Sequence, residues 1–278
     1  MIYEIVWLQL LQLVLGSSAV SLAALLGTFM GGMCLGSLLL PRVIPRDRHP
    51  LRVYAQIEFG IALVAIVVLF LMPYVGGLYS ATVGHGLLGI LVRGLLSAIC
   101  LLPPTMLMGA TLPAISRWIT TTREGISWLG FFYGGNIAGA VLGCLLAGFY
   151  LLRVHDMVTA TFVAVAINLA IGAIAWWLSS VTPYAQEVEA TNVKGRAEKA
   201  PAAWSIYVAI ALSGLTALGS EVVWTRILSL ILGATVYTFS IILAVFLGGL
   251  GIGSSAGSAI ARRIAEPRIA LSACQWLL

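Results

Sequence analysis

Residues 4 to 37 recur at residues 221 to 254 with one constant offset of 217 and no gap. Whatever this chain folds into is therefore built around a unit used twice. The identical pairs are Glu4/Glu221, Val6/Val223, Trp7/Trp224, Leu11/Leu228, Leu13/Leu230, Leu15/Leu232, Gly16/Gly233, Leu26/Leu243, Phe29/Phe246, Gly31/Gly248, Gly32/Gly249, Gly36/Gly253 and Ser37/Ser254. Leucine matches carry little weight in apolar sequence. A shared Glu, Trp, Phe and a Gly-Gly-x-x-x-Gly-Ser run in one register do not arise from composition. Arg46/Arg263 and Pro50/Pro267 carry the register into the next loop, so residues 4–61 match 221–278.

The repeated unit is a membrane unit. Of the 278 residues, 60% are hydrophobic and 9% charged, and the mean hydropathy is +1.04. That is the makeup of a multi-span membrane protein rather than of a soluble domain. A helix needs about 20 apolar residues to cross roughly 30 Å of hydrocarbon. Gly, Pro and charge clusters divide the chain into segments at 2–16, 18–40, 51–73, 87–119, 127–151, 156–178, 204–232, 235–260 and from 268 to the end. The expected fold is an all-α integral membrane protein, with eight transmembrane helices and the start of a ninth. The fourth stretch carries Pro103, Pro104 and Pro113 and is too long for one straight crossing, so a kink is expected there.

The 15 Lys and Arg residues orient these spans. Loop 2/3 holds Arg42, Arg46, Arg48 and Arg52; loop 4/5 holds Arg117 and Arg123; loop 6/7 holds Lys194, Arg196 and Lys199; loop 8/9 holds Arg262, Arg263 and Arg268. The opposite loops offer only Arg153, while Arg93 and Arg226 fall within spans. By the positive-inside rule, loops 2/3, 4/5, 6/7 and 8/9 are expected to be cytoplasmic. Because the basic residues sit in alternate loops and share no face, the net charge of +5 does not indicate a nucleic-acid partner. The polar stretch 180–203 reads as a cytoplasmic linker between a first six-helix half, 1–179, and the start of a second, 204–278. Both ends read as cut: helix precedes Glu221 for about 17 residues in the second copy, but only three residues precede Glu4.

A carboxylate within a span costs about 2.5 to 3.5 kcal/mol by insertion scales, which makes each one a functional candidate. Glu4 and Glu221 occupy equivalent places in the two copies, and Glu58 lies early in the third segment. Two readings stand for them. They lock helix packing through Arg226, Arg93 or a backbone amide, or they form proton or cation sites related by the repeat. Glu221 and Trp224 share a helical face, whereas Arg226 points elsewhere. Asn136 interrupts the fifth helix and either hydrogen-bonds across helices or lines a cavity. The glycines Gly31, Gly32, Gly36, Gly135, Gly139, Gly143, Gly248, Gly249 and Gly253 lay smooth strips on three helices and read as packing positions.

Other chemistry finds little footing. Gly251-Ile-Gly253-Ser-Ser-Ala256 fits a dinucleotide fingerprint, and Gly253-Ser-Ser255-Ala-Gly257 fits a nucleophile elbow. Both lie in a membrane helix rather than at a strand-to-helix turn. The four cysteines have no CxxC spacing, and no zinc-protease motif, Walker loop or metal cluster is present, so no cofactor or metal is expected.

Tyr3-Glu4-Ile-Val-Trp7, Leu215-Thr-Ala-Leu-Gly-Ser-Glu221-Val-Val-Trp224-Thr-Arg226, the Phe-x-Gly-Gly-x-x-x-Gly-Ser runs and Leu102-Pro-Pro-Thr-Met-Leu-Met-Gly-Ala-Thr-Leu-Pro113 together resemble the membrane portion of bacterial fused major-facilitator/spermidine-synthase-like proteins. The resemblance covers nearly the whole chain. It implies a major-facilitator-like bundle in the bacterial inner membrane, followed in complete members by a cytoplasmic aminopropyltransferase-like domain. It also implies a function of transporting or sensing a polyamine or related cation. The alternative is a non-transporting membrane anchor for such a synthase domain. Gln9 stands where the resemblance expects Arg, and the glycine-rich, acid-containing cofactor loop of the synthase is absent, so aminopropyl transfer is not assigned to these residues.

Overall fold

The computed structural model describes residues 1–15, 19–45, 48–82, 87–119, 123–182, 203–233, 235–261, 272–274 and 276. The linker residues 183–202, the loop residues Arg46, Arg262, Arg263 and Arg268, and most of the ninth segment lie outside the described residues. Everything with regular structure among the described residues is helical. The long helices are α1 (Ile2–Leu15), α2 (Ala19–Val43), α3 (Pro50–Thr82), α4 (Leu87–Ile119), α5 (Arg123–Leu146), α6 (Met157–Val181), α7 (Ala203–Leu232) and α8 (Val236–Ala261). A π-helical turn, Ala147–Leu151, and a short α turn, Leu152–Val154, continue α5. Seven of these helices, α2 to α8, are long and apolar enough to cross a membrane. At 14 residues, α1 reaches only about 21 Å, short of a full crossing.

Local chemistry sets several boundaries. His49 precedes Pro50, the first residue of α3, where a missing N–H costs nothing. The Leu51 N–H donates to His49 Nδ1 at 3.3 Å. That leaves Nε2 as the protonated nitrogen, donating to the Thr182 carbonyl at 3.0 Å and tying the start of α3 to the end of α6. Asp156 caps α6 by accepting from the Thr159 N–H at 2.8 Å. Hydrogen bonds from the Thr159 side chain and backbone hold the Asp156 carboxyl below the usual carboxylate range. Helix α7 stops at Gly233, whose φ of +90° suits a residue without Cβ. Thr235 then caps α8 by accepting from the Thr238 N–H at 3.3 Å. The ends of α1 and α7, Leu15 and Leu232, and the starts of α2 and α8, Ala19 and Val236, are separated by the same 217 residues as the sequence repeat.

One expectation shifts. Helix α3 passes through Pro73 and continues to Thr82 instead of ending at 73. Proline removes one backbone donor, a loss that membrane helices absorb locally, so it does not force a stop. Helix α4 likewise runs unbroken through its three prolines. Within it the Thr105 hydroxyl lies 2.9 Å from the carbonyls of both Leu101 and Leu102 and donates back into its own helix.

Lipid is as apolar as leucine, so close packing and buried polar contacts hold such a bundle together more than water exclusion does. The tightest contact joins α2 to α4. A Cβ at Gly32 would strike the Thr105 side chain, one at Gly36 the Met106 backbone carbonyl, and one at Gly109 the Met33 backbone. Helix α3 packs on α6, where Gly172 makes room for the Phe59 ring. Helix α5 and its π-helical turn pack on α8, with Gly148 against Ser240 and Phe149 against Tyr237 at 5.5 Å between ring centroids. Helix α1 is enclosed by α2, α3, α4, α5, α6 and α8, and its residues from Ile2 to Leu8 are all buried.

Candidate functional site

Enclosure gives α1 its significance. Tyr3, Glu4 and Trp7 have no lipid-facing side, and Tyr3 stacks on Trp7 at 5.4 Å. Glu4 is 0% exposed, and neither of its carboxylate oxygens has a hydrogen-bond partner among the described residues. Glu221 on α7 is 2% exposed, and its two oxygens are equally unpartnered. Glu4 feels the Met1 α-amino group and, less strongly, the charge of Glu221. Cys144 of α5 stands within the field of Glu4, and Gly143 packs against Met1 and Ile2.

Helix α7 is arranged inside out relative to a soluble helix. Among its described side chains, Glu221 and Thr225 are the two that are buried, whereas Trp204, Tyr207, Ile210, Leu215, Val223, Trp224 and Leu230 are exposed. A lipid-facing helix has its apolar residues outward, so this places the two polar residues against the bundle. Thr225 follows Glu221 by four residues and shares its face. Thr225 is 6% exposed, and its hydroxyl has no hydrogen-bond partner among the described residues. Thr225 was not singled out from the sequence, although the four-residue spacing from Glu221 was available to find it. The repeat-related tryptophans diverge: Trp7 is 0% exposed and Trp224 is 59% exposed.

Glu58 has a different environment. It is buried in α3, its Oε2 accepts from Asn168 Nδ2 of α6 at 2.9 Å, and Tyr54 one turn earlier also hydrogen-bonds to it. Tyr3 lies within the field of Glu58, its hydroxyl buried without a partner among the described residues. The satisfied carboxylate Glu58 thus lies on the α3/α6 side of α1, whereas the unsatisfied Glu4 is towards α5. Asn168, an amide in an apolar helix, is a second residue that the sequence reading missed.

The remaining candidates stand apart from this centre. Arg226 and Asn136 are exposed, and the side chain of Arg93 lies outside those described. Gly32 and Gly36 lie in the α2/α4 contact, and Gly143 makes ordinary contact with α1. An added Cβ would meet open space at Gly31, Gly135, Gly139, Gly248, Gly249 and Gly253. Among the described residues no group of three His, Cys, Asp or Glu side chains is placed to hold a metal ion.

The described residues define a class: an all-helical chain with seven helices long and apolar enough to cross a membrane, carrying two buried carboxylates, Glu4 and Glu221, without hydrogen-bond partners among those residues. No family model matches the chain, and no curated protein or solved structure matches it either.

Proposed function

We propose that this chain is the membrane portion of a spermidine-synthase-like fusion protein in the bacterial inner membrane, and that it transports or senses a polyamine or related cation. Its helices form a major-facilitator-like pair of related halves, with the basic loops 2/3, 4/5, 6/7 and 8/9 in the cytoplasm. The observation that carries this reading is the burial of Glu221 and Thr225 on an otherwise outward-facing apolar helix, with the repeat-related Glu4 buried as well. Carboxylates desolvated without a donor are costly, and a cationic ligand compensates them. Alternating-access carriers place such sites at the contact between their repeats. The shared 217-residue spacing of helix ends supports the two-halves part of the reading.

The test is uptake of labelled spermidine into liposomes containing the full-length protein, with and without Glu221→Gln. Saturable uptake that falls at least tenfold in the variant is expected. Uptake unchanged in the variant would show that the carboxylate is not the ligand site. If no polyamine gradient is dissipated, the membrane-anchor reading takes its place.

A further inference from the structure

The two copies of the repeat fill opposite faces of the same helix. In the first copy, Gly32 and Gly36 of α2 are buried against α4, where the Thr105 hydroxyl also lies 3.5 Å from the Thr28 carbonyl and Gly109 meets the backbone of Met33. Cys34, two residues from each glycine, is exposed. In the second copy the occupancy is reversed. Gly251, the counterpart of Cys34, packs against Ile137 of α5. Gly249 and Gly253, the counterparts of Gly32 and Gly36, are exposed, with nothing where a Cβ would stand. Val245 and Leu250, which replace Thr28 and Met33, are exposed as well. Residues two apart in a helix point about 200° apart, so α5 sits on one side of α8 and this glycine face on the other. The serines beside the face are committed to their own helix in both copies: Ser37 donates to the Cys34 carbonyl at 2.8 Å and Ser254 to the Gly251 carbonyl at 3.0 Å. Glycine is about 1 kcal/mol worse than alanine in a helix interior and gains nothing from lipid. What glycines four apart permit is the close approach of another backbone, as α4 makes on α2.

We propose that the face of α8 carrying Val245, Gly249, Leu250 and Gly253 is the docking surface for a partner transmembrane helix of the α4 type, with a small hydroxyl residue four positions before a glycine. Thr105 and Gly109 set that pattern. The partner's hydroxyl residue lies against Gly249, its glycine against Leu250 and its backbone against Gly253. A second copy of the chain does not supply it with α4, because that helix already holds the equivalent face of its own α2. The proposal rests on the repeat and on packing, and not on the transport reading above.

The probe is a synthetic peptide of the α4 span, Gly94–Trp118, with a photo-reactive diazirine analogue of methionine at Met106, reconstituted in liposomes with the full chain. Photolysis followed by mass spectrometry locates the labelled segment. Labelling concentrated around Gly253 is expected, because Met106 meets Gly36 in the first copy. It should fall at least about tenfold in Gly253→Leu, whose side chain holds the two backbones apart, and equally with a peptide carrying Gly109→Leu. Open space surrounds Gly253, so the leucine variant keeps its fold, which an unchanged far-UV melting curve verifies. The Gly109→Leu peptide decides the matter even if that curve moves. Labelling spread over the exposed residues of α6 and α7, labelling confined to α2, or labelling that neither leucine reduces overturns the proposal. So does self-association of the chain, trapped as an Ala256→Cys disulfide and excluding the peptide, which would make a second copy the occupant.

Discussion

Gly36 and Gly253 occupy the same place in the two copies of the repeat, yet alanine is expected to act on them with opposite sign. In a helix interior, glycine is about 1 kcal/mol worse than alanine, so both substitutions begin with that gain. At Gly253 an added Cβ meets nothing, and the gain remains. At Gly36 it runs into the Met106 carbonyl and neighbouring backbone of α4. A backbone cannot rotate away as a side chain tip can, so α2 and α4 must separate. That separation also disturbs Gly32 against Thr105 and Gly109 against Met33. Overpacking costs about 1 to 3 kcal/mol where the surroundings adjust, and this contact sits at the upper end because backbone is on both sides. Gly36→Ala is therefore expected to destabilise by about 1 to 2 kcal/mol net and Gly253→Ala to stabilise by up to about 1 kcal/mol. Reversible unfolding in mixed micelles, followed by far-UV circular dichroism, measures both. Equal effects at the two positions would refute the reasoning, because sequence context is shared and only the packing differs.

Other expectations follow from single contacts. Asn168→Leu removes a donor from buried Glu58 and should destabilise by about 1 to 3 kcal/mol in the same assay, with Glu58→Gln in that background recovering part of the loss. Gly172→Ala should destabilise through the Phe59 ring, and Phe59→Leu should relieve it, because the obstruction is a side chain. The Asp156 carboxyl is held low in the folded state, so its cap is fully present above its ordinary value of 3.8 and is lost as the pH falls through the lowered value. Asp156→Asn keeps an acceptor without the charge and should remove that acid dependence from the melting curve of α6.

The span pattern was legible because lipid imposes it. Helix α4 at Leu87–Ile119 has the limits read from the sequence, and α7 and α8 lie within a residue of theirs. Pro73 misled because a proline that would end a helix in water need not end one in a membrane. The pairing of faces was not legible. With nearly every residue apolar, periodicity separates no inner face from an outer one, so nothing in the sequence distinguished Gly36, which is jammed against α4, from Gly253, which faces open space. The carboxylates were visible as costly residues, but their fates were not. Glu58 finds Asn168 and Tyr54, while Glu4 and Glu221 find no donor among the described residues. That difference arises from helix placement between distant parts of the chain.

The central claim is that Glu4 and Glu221, far apart in sequence, are buried within range of each other's charge. A double-mutant cycle on unfolding free energy, using Glu4→Gln, Glu221→Gln and the pair, tests it directly. Each single substitution relieves the same repulsion, so the double variant should gain less than the sum of the singles, by at least about 0.5 kcal/mol. Additivity within about 0.3 kcal/mol would place the two carboxylates in separate environments and contradict the account.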